Sequence, residues 1–97
     1  MSLKNAPWDT IPEHMHSYLR DYIERGSYPG NFLYAVLTNN LKTAVARGDD
    51  VNRSALASYV LFLTNYAPAA CWGTAKAVQD WQERGGLKGI ENQDDAA

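Results

Sequence analysis

A chain of 97 residues with 45% hydrophobic and 21% charged side chains carries enough apolar surface to fold as one domain, which excludes a disordered tail. Nine Lys and Arg stand against eleven Asp and Glu, a net charge of -2, so no basic excess draws a phosphate backbone and dedicated nucleic-acid binding is not expected. A single cysteine, Cys71, excludes an internal disulfide, and the opening residues lack the apolar core of a signal peptide, so the expected address is a reducing cytoplasm.

In chain order, apolar residues at Ile11, Met15, Tyr18, Leu19, Tyr22 and Ile23 recur at steps of four and three and predict a helix over 11–25. Thr10 with Glu13 three residues on fits a capping box, Pro12 suits a first turn, and Gly26 supplies a left-handed stop. Ser27-Tyr28-Pro29-Gly30 reads as a turn. Phe32, Leu33, Val36, Leu37, Leu41, Ala44 and Val45 then mark one stripe of a second helix, 31–47, which Gly48 ends. Asp49-Asp50-Val51-Asn52 is a cap-forming run at the head of a third helix, 50–66. There Leu56, Tyr59, Val60 and Leu63 form a stripe that Phe62 and Tyr66 widen, which predicts the central and most buried helix. Pro68 stops it, and a fourth helix, 74–84, turns Ala75, Val78 and Trp81 inward before Gly85-Gly86. The expected fold is all-α, a compact bundle of about four short helices in one domain, 1–86, followed by a flexible C-terminal tail, 87–97. From Ser54 to Ala75 no residue is charged, yet Ser54, Ser58, Thr64 and Asn65 are polar and Pro68 interrupts the run, so a membrane span is not expected.

Chemistry is sparse. His14 and His16, two apart on a helix, point about 200° from each other and make a poor metal pair. Cys71 has no second cysteine and no nearby histidine in sequence, and is expected as a buried, inert thiol. No phosphate loop or nucleophile elbow is present, so no catalytic residue, cofactor or metal is assigned and no enzymatic role is expected. The most polar constellation is Asn39 and Asn40 with Asp49, Asp50, Asn52 and Arg53, gathered where the second helix meets the third. Capping together with an Asp49 to Arg53 pair accounts for it structurally; a small polar pocket is the functional alternative, with Trp72 as a stacking surface. The aromatic residues are too many for one thin core, and Tyr59, Phe62 and Tyr66 extend the third helix's apolar arc too far for its neighbours to cover, which predicts a homodimer through these three.

Taken in order, Ile11-Pro12-Glu13-His14, Tyr22-Ile23-Glu24-Arg25-Gly26, Pro29-Gly30-Asn31-Phe32-Leu33, Ala35-Val36-Leu37, Asn39-Asn40-Leu41, Asp49-Asp50-Val51-Asn52-Arg53, Pro68, Cys71-Trp72-Gly73 and Trp81 resemble a group of small proteins encoded by tailed phages and prophages. The resemblance covers residues 11–86 and brings no assigned catalytic residue. It implies a phage or prophage origin and an interaction protein that binds a host or phage macromolecule in the bacterial cytoplasm, in a regulatory, host-takeover or anti-defence role. The alternative expectation is a small-ligand module that sequesters a nucleotide-like signal, with Trp72 on the base and Arg53 or Arg47 at a phosphate.

Overall fold

The computed structural model describes residues 3–89, and among them every regular element is helical, with no strand. Three 3₁₀ turns, Leu3–Asn5, Trp8–Thr10 and Glu13–Met15, lead into α1 (His16–Arg25). Then come α2 (Asn31–Leu37), α3 (Leu41–Arg47), α4 (Asp50–Ser54), α5 (Leu56–Tyr66), a 3₁₀ turn at Ala69–Cys71 and α6 (Ala75–Arg84). The four expected spans are therefore helical, but two of them are broken and the first begins late.

The late start has a local cause. Pro12 holds Ile11 extended at φ -103° and ψ 134°, and the Thr10 hydroxyl donates to the Pro7 carbonyl at 2.7 Å, so no capping box forms with Glu13. In the second span the break runs from Thr38 to Asn40: Asn39 takes φ 63° and its N–H donates to the Val36 carbonyl, while the Asn40 N–H donates to the Ala35 carbonyl, a Schellman close of α2 with asparagine at the left-handed position. Asn40 then caps α3, its Oδ1 accepting from the Thr43 N–H at 3.2 Å. The break in the third span is slighter. The Ala55 N–H is shared between the Val51 and Asn52 carbonyls, tightening one turn and separating α4 from α5.

The molecule measures 45 × 27 × 19 Å, and its thinnest dimension is about two helix diameters, so every helix has both an inner and an outer face. The core is built by Leu19, Tyr22 and Ile23 of α1, Phe32, Leu33 and Leu37 of α2, Tyr59, Phe62 and Leu63 of α5, and Val78 and Trp81 of α6. Its polar atoms are satisfied: Trp81 Nε1 donates to the Tyr22 and Ile23 carbonyls at 3.1 and 3.2 Å at the end of α1, where the Tyr22 carbonyl also accepts from the Gly26 N–H, and the Tyr22 hydroxyl donates to the Cys71 carbonyl at 2.6 Å.

The prediction for the third span is corrected. Of the eleven residues of α5 only Tyr59, Phe62 and Leu63 are buried, and Val60, assigned to the inner stripe, faces outward. Trp8 from the N-terminal turns packs against Phe62 with ring centres 4.8 Å apart and planes tilted by 60°, and Phe32 meets Tyr59 edge-on at 5.4 Å. These contacts roll the aromatics inward and the aliphatic Val60 and Leu61 out. Of the expected tail, 87–89 belong to a helical turn at 86–89, and 90–97 lie outside the described residues. No helix among the described residues is long and apolar enough to cross a membrane.

Candidate functional site

Between α3 and α5 lies a groove of about 400 Å³, and three of the seven residues proposed from sequence for binding, Asn39, Asn40 and Trp72, line it. Their meeting follows from backbone chemistry. The Schellman close of α2 delivers Asn39 and Asn40 to one end. Pro68 and the turn Ala69–Cys71 bring Trp72 alongside, where the Gly73 N–H donates to the Leu37 carbonyl of the last turn of α2 at 2.7 Å. Gly73 makes that bond at φ 111°, a backbone state that favours glycine. Ala35, Val36 and Ala44 form the floor and one wall, Leu56, Ala57 and Val60 the other, and Leu41 stands at the rim. No charged residue is among the lining, and four of the positions are alanine or glycine, so the space exists because small side chains border it.

The other four residues are drawn away from the groove. Asp49 caps α4, one carboxylate oxygen accepting from the Asn52 N–H at 2.7 Å and the other facing His14 Nε2 at 3.5 Å. Asp50 pairs with Arg53 on the exposed side, replacing the Asp49 to Arg53 pair expected from sequence. Asn52 is buried, its Oδ1 accepting from the Tyr59 hydroxyl at 2.8 Å, and burial raises that hydroxyl above the usual tyrosine range. The polar constellation is thus two structures: a helix junction satisfied by its own bonds, and an apolar groove with two amides at its end.

Tyr59 and Phe62, proposed as an oligomer contact, are 0% and 1% exposed and so hold the core together instead; Tyr66 is partly buried against Phe62. The two histidines diverge, His14 toward Asp49 and His16 onto the Ile11 carbonyl at 2.8 Å beside Trp8, where His16 is half-buried. Cys71 is fully buried, and burial pushes its thiol up to about 12, which leaves it protonated and inert at neutral pH. Among the described residues no group of three His, Cys, Asp or Glu is placed to hold a metal.

Leu41, Leu56 and Val60 at the groove were not singled out from sequence as binding residues. The available signal was the adjacency of two asparagines to Leu41 together with the uncharged run 54–75. The chain matches no protein-family model, no curated protein and no solved structure.

Proposed function

We propose that this chain is a small helical interaction protein, of phage or prophage origin and without catalysis of its own, that binds a macromolecular partner in the host cytoplasm. The observation that carries the reading is the uncharged groove between α3 and α5, where Leu41 and Val60 stand 68% and 45% exposed at the edges of an apolar depression. Trp72 offers a large flat anchor surface, and the Asn39 and Asn40 amides offer hydrogen bonds that set orientation. The phage or prophage origin is part of the proposal and rests on the resemblance described from the sequence alone.

The test is capture from a bacterial host extract by the tagged chain, with Leu41→Asp and Trp72→Ala compared against Tyr18→Asp, an exposed α1 position outside the groove lining. One bound species is expected on the native chain and on Tyr18→Asp, and its loss on both groove variants. A species retained equally by both groove variants overturns the assignment.

The volume of the groove, within the range of roughly 300 to 1,000 Å³ usual for small-molecule sites, favours a second reading as a sequestering module. Its ligand would be uncharged and mostly apolar: Arg53 is engaged by Asp50, and Arg47 borders a separate depression with Tyr34 and Thr43. Native mass spectrometry of the purified chain distinguishes the two readings by the presence of a small bound mass that Trp72→Ala loses.

A further inference from the structure

A second depression, of about 580 Å³, lies where the N-terminal turns pass the junction of α4 and α5, and it shares no residue with the groove. A capping box would have folded Glu13 back onto the backbone, but Pro12 holds Ile11 extended and the Thr10 hydroxyl goes to the Pro7 carbonyl, so Glu13 lines the depression together with Asp9. Neither carboxylate has an ion-pair partner among the described residues. The facing side is one stripe of α4 and α5, in which the Ser54 and Ser58 hydroxyls alternate with Val51 and Ala55. His16 also borders it, with Nε2 2.8 Å from the Ile11 carbonyl; a carbonyl only accepts, so in the neutral ring Nδ1 keeps its lone pair. No Lys or Arg is in the lining, and neighbouring cations are held elsewhere, Arg53 on Asp50, Arg20 over the Trp8 ring at 4.8 Å and His14 on Asp49.

We propose that this depression binds an alkyl guanidinium or ammonium group, with its head at Asp9 and Glu13 and its methylene stem along Ile11, Val51 and Ala55. Each part of the lining selects that chemistry. Two unpaired carboxylates favour a cation, and the lone pairs on carboxylates and hydroxyls favour one with several N–H donors over a quaternary amine. The aliphatic strip favours a carbon stem over a bare metal ion, and among the described residues no three His, Cys, Asp or Glu are placed to hold such an ion. The volume suits a small ligand, in the range of roughly 300 to 1,000 Å³. The same head and stem occur on a free molecule and on an arginine or lysine side chain of a protein.

The isotope-labelled full chain, titrated with n-butylguanidinium and followed by amide chemical shifts, is expected to show saturable shifts around Asp9, Glu13, Ser54 and Ser58 and none at Leu41 or Trp72. n-Butylurea, the same shape without the charge, is expected to bind ~tenfold more weakly. Asp9→Asn and Glu13→Gln are each expected to weaken butylguanidinium roughly threefold, and together to bring it to the level of butylurea. Glu83→Gln, which removes a charge on α6 outside the lining, and Leu41→Asp in the groove are expected to leave the titration unchanged. Acetyl-Gly-Arg-Gly-amide separates the sources: shifts at the same residues assign the site to a side chain of a protein, and shifts with butylguanidinium alone assign it to a free molecule. Absence of saturable shifts, equal binding of butylurea, or a double variant that binds as tightly as the native chain overturns the proposal.

Discussion

Asp49 and Asp50 are neighbours of the same chemical type with different work, and backbone geometry divides it between them. Asp49 lies at φ -75° and ψ 177°, extended, so its side chain folds back onto the Asn52 N–H; Asp50 is already helical and its carboxylate points into solvent toward Arg53. Asp49→Ala is therefore expected to cost ~1 kcal/mol, and Asp50→Ala no more than ~0.5 kcal/mol, because a solvent-exposed pair contributes little. Urea unfolding of the two variants checks this, and equal losses would place the cap on the wrong residue. Asn39 and Asn40 divide in the same way, one as a left-handed stop and one as a cap, and both roles follow from the short amide side chain. That an acidic run and an asparagine pair punctuate helices was legible in the sequence; which member of each pair does so depended on dihedral angles that no single residue type dictates.

At the scale of elements, the chain just past α6 runs tightly against the end of α1. Gly86 sits at φ 68°, and a Cβ there would lie 2.6 Å from the Arg25 nitrogen and the Glu24 carbonyl carbon, backbone atoms that cannot swing aside. Gly85 has a similar φ of 84°, but its nearest neighbour to such a Cβ is 3.5 Å away. Gly86→Ala is thus expected to cost ~2 to 4 kcal/mol, adding overlap to left-handed strain, and Gly85→Ala only the ~1 to 2 kcal/mol of the strain. Thermal melts followed by circular dichroism should show the larger drop for Gly86→Ala, and the reverse order would refute the close-approach account. Gly85-Gly86 was readable as a helix stop. Its second role was not, because Arg25 lies some sixty residues earlier in the chain.

For the whole molecule, three buried neutral acids define the response to alkali. Burial raises Cys71 from its ordinary 9.0 to about 12 and lifts Tyr22 and Tyr59 well above their ordinary 10.0, desolvation being the largest cause for each. The folded state therefore keeps protons that the unfolded chain releases, so their contribution is fully present below pH 9 and is lost as pH rises from there toward the folded values. The thermal midpoint is expected to fall from about pH 9 upward, and Cys71→Ala to move the onset to about pH 10, where the tyrosines take over. Melts at half-unit steps between pH 8 and 11 decide it; a midpoint level across that window would mean that these groups reach solvent.

The all-α character, the stops at Gly26 and Gly85, and the cap-forming run before α4 were determined by residues within a few positions of one another, since caps, left-handed glycines and apolar spacing act over one or two turns. Tertiary structure decided which side of α5 is covered. Trp8 reaches Phe62, Trp81 reaches the Tyr22 carbonyl and Gly73 reaches the Leu37 carbonyl, contacts spanning 36 to 59 residues. A stripe read from one helix alone cannot rank its two apolar faces. Burial follows the neighbour that arrives, and aromatic partners drew in Tyr59 and Phe62, leaving Val60 and Leu61 to face outward.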